Sequence, residues 1–450
     1  MAFHAQAGKS TRSGPVQAYD NRTAMIVMTA LFFMCGFLAT LNDILIPHLK
    51  LIFDLTYAEV MLTQFSFFSS FLIFAYPFGK LVERIGYQKT LVFGLFMMAT
   101  GALLFTPAAG VPSFVLFMGA LVVLAGGITA LQVSGNPYIS ILGPPRTASS
   151  RLNLTQAFNS LGSTIAPSVG GALILGAGDP KILEGVHQLS GSALRAFRMQ
   201  QASYVKGPYI GIAITLMLLG CVVAIQRLPP GGAASLQPIQ EEVRSIWSYR
   251  QLVLGIAAMF LYCGAEISIG SFLVSYLSQP NIGAMTPKAA SGFVSIYWGG
   301  SMAGRFVGSA LLRRIKTGKL LGINAIVAFC LVTTSIGAYG HVALWAILLV
   351  GVFNSIMFPS LFTLGIAGLG SLTGKASGIL MSAAVGAAVI PVMQGALADR
   401  VGVHYSFVVP AFCYVYVAFY GLNGSNPKIQ REGPGPILTA TDSSPTALRS

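Results

Sequence analysis

A chain of 450 residues that is 54% hydrophobic and only 9% charged, with a mean hydropathy of +0.72, is too apolar and too poor in charge for a water-soluble globular protein. These figures describe a polytopic membrane protein. A net charge of +14 would suggest a nucleic-acid partner in a soluble chain; here the basic residues sit between apolar runs and mark topology, so nucleic-acid binding is excluded.

Residues 1–23 are polar, carry no cleavable signal pattern and read as a cytoplasmic N-terminal segment. With about 20 apolar residues needed to cross a bilayer, twelve helical spans are expected. The first six lie near 24–49, 58–80, 90–107, 113–142, 151–176 and 207–226, and form one bundle over 24–226. Residues 227–250, with Pro229, Pro230, Gly231, Gly232, Glu241 and Glu242, read as a cytoplasmic linker. The second six lie near 251–278, 289–312, 319–339, 342–369, 376–398 and 403–423, within a bundle over 251–424. Residues 425–450, rich in Pro, Gly, Ser and Thr, are expected to be a disordered cytoplasmic tail. Placing both termini in the cytoplasm puts most of the 27 Lys and Arg on the inner side, as the positive-inside rule requires.

The two halves echo one another. Gly79 to Gly86 (GKLVERIG) closes span two with a charge cluster, and Gly304-Arg305 through Ile315 closes span eight. Pro137 of span four has a counterpart in Pro359 of span ten, and Gly395 to Gly402 (GALADRVG) repeats the charged motif on the opposite side, as an inverted repeat would. Gly300, Gly304 and Gly308 recur every four residues, a close-packing signal between helices. The fold class is therefore an all-α membrane protein with twelve transmembrane helices in two pseudo-symmetric six-helix bundles.

Of the thirteen acids, only Asp43 and Glu266 lie well inside spans, and no Lys or Arg is expected at comparable depth to neutralise either. An acid at membrane depth faces a cavity and marks a proton or ion pathway. Asp43, in the run GFLATLNDILIPHLK, is the leading proton-coupling site. Glu266, on the small-residue run Gly264, Ala265, Ser268 and Gly270, suits either proton coupling or a tie between helices.

Neutral amides surround these acids at helical spacing. Thr129, Gln132 and Asn136 form one stripe in span four, and Asn153, Gln156, Asn159, Ser160 and Ser163 a second in span five; Asn42 stands beside Asp43. Amides offer donors and acceptors without charge, which suits a neutral polyhydroxy solute such as a sugar. Trp298, Tyr297, Asn354, Phe358 and Gln394 are candidates for the opposite wall. The substrate-binding set is thus Asn42, Gln132, Asn136, Gln156, Asn159, Trp298, Asn354 and Gln394. The cluster around Glu83 and Arg84, with Arg305 in the corresponding motif of span eight, supplies gating candidates that hold the halves together in one state.

The five cysteines and five histidines show no ligand spacing, so no disulfide framework, metal or cofactor is expected. The chain lacks a G-x-x-x-x-G-K-[ST] loop, which disfavours an ATP-driven pump, and no nucleophile and base arrangement suggests an enzyme.

The motifs LNDILIPHLK (Leu41 to Lys50), VERIGYQK (Val82 to Lys89), LQVSGNPYISILGPP (Leu131 to Pro145), SSRLNLTQAFNSLGSTIAP (Ser149 to Pro167) and GAEISIGSFLV (Gly264 to Val274) carry a family resemblance. Over nearly all of residues 24–424 the sequence resembles the fucose/galactose/glucose:proton symporters of the major facilitator superfamily. The resemblance implies the major facilitator fold, alternating access, a proton-linked aspartate at Asp43, and sugar-binding amides at Gln156 and Asn159. Fucose transporters of this family carry a glutamate in span four where this chain has Gln132, which makes it look more like the glucose/galactose branch.

The expected function is proton-coupled uptake of a neutral hexose, glucose or galactose, by a monomer embedded in the lipid bilayer of a bacterial inner membrane. A proton-coupled exporter of sugars or drugs on the same scaffold is the alternative, and a non-transporting sugar sensor ranks last because linker and tail provide no output domain.

Overall fold

The structure, a computed structural model, describes residues 21–53, 57–110, 113–170, 191–193, 196, 199–200, 206–226, 228–229 and 245–426; side chains at residues 21, 41–64, 167–170, 287–288 and 291 are outside that description. Most of the tail, of the linker and of the N-terminal segment expected from the sequence lies outside the described residues; the first helix already begins at Asn21, inside that segment. Where it is described, each of the twelve expected runs is helical. In hydrocarbon no water is present to bond exposed amides, so each apolar run satisfies its backbone within itself.

The first half comprises α1 (Asn21–Phe53), α2 (Tyr57–Ile85), α3 (Tyr87–Gly110), α4 (Phe114–Ile141), α5 (Ala148–Gly170) and α6 (Lys206–Ile225). The second begins with α7 (Arg250–Leu277), α8 (Pro287–Leu311) and α9 (Thr317–Gly337). Its last three runs are broken. The tenth divides into α10 (Gly340–Asn354) and α11 (Met357–Gly365), the eleventh into α12 (Thr373–Ser382) and α13 (Gly386–Val401), and the twelfth into α14 (Val403–Ser406) and α15 (Val408–Phe419). The break at Ser355–Ile356 precedes Pro359, which cannot donate to the carbonyl four residues earlier and so leaves Ser355 O free.

Ten helical segments among the described residues, the last three each taken across its break, are long and apolar enough to cross a membrane. The helices α5 and α8 are not among them, being richer in polar residues. A span that fails on composition must hide its polar face against protein. These two do so against each other, across the boundary between halves.

Packing inside each half follows one plan. Helix α3 packs on α4 and α6, α1 on α5 and α2 on α4; correspondingly α9 packs on α10 and α15, α7 on α13 and α8 on α10. The α1–α5 seam is tight because a Cβ at Gly36 would overlap the Asn159 carbonyl and one at Gly162 the Phe33 carbonyl. The α7–α13 seam repeats this, with Gly386 set against the Phe260 carbonyl. Between the halves, α2 packs on α12 and α5 on α8, so each helix meets the counterpart of the other. The inverted echo also has a backbone signature. Gly86 and Gly402 end the two charged motifs at the same φ of 84°, a left-handed conformation open to glycine.

The glycine stripe on span eight packs as expected: Gly304 and Gly308 lie against Ser355 and Ile356 at the break, and Gly300 against Val352. Cys35, Cys263 and Cys413 are buried as small apolar groups, while Cys221 and Cys330 are exposed on helix surfaces; none is paired.

Candidate functional site

The tight α1–α5 and α4–α5 packing draws the two amide stripes together. Gln156 Nε2 donates to Asn136 Oδ1 at 3.2 Å, Asn136 Nδ2 donates to Gln132 Oε1 at 3.0 Å, and Gln132 Nε2 points to Cys35 Sγ at 3.7 Å. Asn136 is fully buried and Gln156 nearly so. This chain runs from α5 through α4 to α1, and Met381 of α12 closes on it from the second half, its Sδ 3.7 Å from Asn136 Nδ2. The two stripes therefore meet at Asn136 and Gln156.

Asn159 does something different. Its Nδ2 donates to the Phe32 carbonyl of α1 at 2.9 Å, and one turn on Ser163 Oγ donates to the Gly36 carbonyl at 3.1 Å. These bonds fix the α1–α5 register. Asn42 and Asp43 follow on α1 within two turns of Gly36, where the backbone remains helical; their side chains lie outside the described residues.

In the second half the candidate amides are enclosed. Asn354 accepts from the Tyr414 hydroxyl at 2.7 Å, donates to the Tyr297 oxygen at 2.9 Å, and its carbonyl accepts from Tyr262 at 3.0 Å. Gln394 accepts from Ser268 and donates to Ser406 at 3.2 Å. Neither amide has exposed surface, and each side chain makes one donor and one acceptor bond inside the bundle. Trp298 is the reverse case: its ring lies edge-on to Tyr297 with centroids 5.2 Å apart and stays 37% exposed.

One sequence expectation is corrected. A cation does lie at the depth of Glu266, and it is Arg305, which the motif count had placed at the charged end of span eight. Arg305 Nη2 is 3.9 Å from Glu266 Oε1, and both side chains are largely buried. Arg305 stands two turns inside α8 from Arg313, and its stem carries the guanidinium to the boundary between the halves. There Nε donates to the Ser355 carbonyl at 3.2 Å, the oxygen that Pro359 leaves free, and Nη1 donates to Ser160 Oγ of α5 and, at 3.5 Å, to the Gln156 carbonyl. A proline that unpairs a carbonyl opposite a mid-helix arginine was the available signal.

The other gating candidates sit where expected, at the end that carries the linker. Glu83 Oε1 accepts from the backbone N–H of Lys375 at 3.2 Å, in the first turn of α12, where free amides and the helix dipole both favour a carboxylate. A Cβ at Gly79 would come within 2.8 Å of the Gly374 carbonyl, and one at Gly378 within 2.5 Å of the Ala75 carbonyl. Hydroxyls complete this seam. Ser150 and Ser309 bond each other's carbonyls, and Ser149 Oγ lies 2.6 Å from Thr363 Oγ1 and 2.9 Å from Thr317 Oγ1. A cavity of about 1520 Å³ opens at this end, lined by Glu83, Arg84, Tyr87, Tyr138 and Gly374; it belongs to the seam and not to the amide chain.

Comparison with known proteins agrees with this architecture. Over 402 residues the chain is 48% identical to the glucose/galactose transporter of Brucella abortus biovar 1 (strain 9-941), covering 89% of this chain and 94% of that protein. It is 30% identical to the L-fucose-proton symporter of Escherichia coli (strain K12), over 92% of this chain and 96% of that one. The solved structure of the transporter FucP in the outward conformation matches with a TM-score of 0.82 at 29% identity, over 89% of this chain and 98% of that chain. Similarity is thus greater to the glucose/galactose transporter than to the fucose symporter. With residues 28–384 also matching the Major Facilitator Superfamily, the chain belongs to that family of membrane transporters.

Proposed function

We propose that the protein carries a neutral hexose, glucose or galactose, into the cell together with a proton, by alternating access between its two bundles. The observation that carries this reading is the buried chain Gln156–Asn136–Gln132, three neutral amides on adjacent helices, closed by Met381 of the other bundle. Such a chain can exchange its internal hydrogen bonds for those of sugar hydroxyls one for one. The interior charge supports a neutral solute as well. Arg305 has Glu266 beside it, so the pair adds no net charge to the boundary. Relatives named as a glucose/galactose transporter and a fucose-proton symporter support both the solute class and the proton.

In this reading Gln156, Asn136 and Gln132 bind the sugar, Asn159 holds α5 on α1, and Asn354 and Gln394 brace the second bundle. Asp43 is the proton site, placed on α1 beyond the Gly36–Asn159 seam. The seam at the linker end is the inner, cytoplasmic gate, closed in an outward-facing state; both termini lie on that side of a bacterial inner membrane, and one chain suffices for transport.

The test is uptake of D-galactose into proteoliposomes under an imposed inward proton gradient. Accumulation above the external concentration is expected, and Asp43→Asn abolishes it while leaving galactose exchange. Undiminished uphill uptake in that variant overturns the role of Asp43, and gradient-driven efflux instead of uptake identifies an exporter.

A further inference from the structure

Among the described residues, Arg305 is the one side chain that bonds across the bundle boundary and also lies beside a buried acid. Its anchor is in the second bundle: Nε on the Ser355 carbonyl freed by Pro359, and Nη2 3.9 Å from Glu266 Oε1. Its reach is into the first bundle, where Nη1 bonds Ser160 Oγ and the carbonyl of Gln156, a member of the amide chain. Glu266 Oε1 is buried and accepts no hydrogen bond among the described residues. A separation of 3.9 Å is beyond a hydrogen bond, and an approach of about 1 Å would make it a charge-assisted one.

We propose that Arg305 is a positioning residue for the conformational step of transport, handing its guanidinium from Ser160 and Gln156 of α5 to the Glu266 carboxylate when the bundles part at the linker end. The argument is one of charge accounting. A guanidinium stays charged at any working pH. When α5 swings away, Nη1 loses both acceptors at once, and a buried cation left without a partner is strongly unfavourable. Helices α7 and α8 belong to the same bundle and move together, so Glu266 stays within reach throughout. Its unengaged oxygen is the acceptor available to take over. The Ser355 carbonyl holds Nε in both states, so the guanidinium pivots about that bond. This places a second polar device beside the sugar amides, separate from the Glu83 seam and from Asp43, and it rests on the transport reading above.

The experiment is D-galactose exchange at equal internal and external pH in proteoliposomes, read as separate KM and kcat values. Arg305→Gln is expected to lower kcat tenfold or more with KM within twofold of the unmodified protein, and Arg305→Lys, which keeps the charge without the fork, to fall between. Glu266→Gln strands the cation and lowers kcat comparably. Removing both, Arg305→Gln with Glu266→Gln, is expected to recover kcat at least threefold over Glu266→Gln alone, a recovery that independent structural damage would not give. A raised KM at unchanged kcat in Arg305→Gln overturns the proposal in favour of direct sugar binding, and a double variant no faster than Glu266→Gln overturns the handover. If Arg305→Gln does not fold, Arg305→Lys carries the same test: lowered kcat with KM held supports the handover, and unchanged kcat overturns it. Absence of galactose exchange in the unmodified protein instead counts against the transport reading itself.

Discussion

Ser150 and Ser309 exchange hydrogen bonds across the bundle boundary: Ser150 Oγ donates to the Ser309 carbonyl at 2.7 Å and Ser309 Oγ to the Ser150 carbonyl at 2.9 Å. Both residues are buried, so the exchange is shielded from water. Net contributions of about 0.5–1.5 kcal/mol per bond are small enough for such a pair to form and break reversibly. Replacing both by Ala is expected to shift the population toward an open linker end. Distances between spin labels at the exposed positions Lys89 and Arg313 measure that shift, and an unchanged distribution would remove the pair from the gate.

The α2–α12 seam gives a steric counterpart. A Cβ at Gly378 would lie 2.5 Å from the Ala75 carbonyl, a backbone atom that cannot turn aside. Gly378→Val is therefore expected to hold the linker end apart and to cut galactose uptake at least tenfold. The same label pair reports the separation directly.

At Glu83 acceptor and charge can be told apart. Its Oε1 receives the Lys375 amide in the first turn of α12. Glu83→Gln keeps an oxygen there and is expected to retain most transport, since the charge contributes only about 0.3–1 kcal/mol at a helix end. Glu83→Lys reverses the interaction and is expected to shift the Lys89–Arg313 distances outward. Equal transport in the two variants would show that the contact is incidental.

The buried amides separate by assay. Gln156→Ala removes a link of the amide chain, leaves Asn136 Oδ1 without its donor, and is expected to raise the KM for galactose tenfold or more. Asn354→Ala strands the hydroxyls of Tyr297 and Tyr414, at a cost of about 1–3 kcal/mol for each buried group left unpaired. It is expected to lower the melting temperature in detergent, with KM held close to that of the unmodified protein. A reversal of the two outcomes would move the sugar site into the second bundle.

The spans were legible because lipid imposes one rule on every crossing segment: about 20 apolar residues folded into a helix. The polar stripes were legible because α4 and α5 keep the 3.6-residue period, so Gln132 and Asn136 share one face of α4 and Gln156 and Asn159 lie near one face of α5. What stayed hidden depends on distance between segments. Asn354 and Gln394 have the same composition signature as Gln156, and only the placement of Tyr297, Tyr414, Ser268 and Ser406 shows that their amides are engaged internally. Arg305 was hidden for a related reason. A charge two turns from a basic helix end looks interfacial in sequence, until the carbonyl released by Pro359 gives it a place to stay.

The crossed pairing of α2 with α12 and of α5 with α8 limits how the molecule can move. A rigid rotation about an axis between the seams parts both together, since each bundle contributes one helix to each. A half-open form, with one seam intact, needs a rotation hinged on that seam or a helix that bends. The described breaks, at Ser355–Ile356, at Ala383–Val385 and at Phe407, all belong to the second bundle, while Pro77, Pro107 and Pro137 lie inside helices of the first. The two halves therefore differ in how their helices can give way: the second is interrupted at defined breaks, and the first carries prolines within unbroken helices.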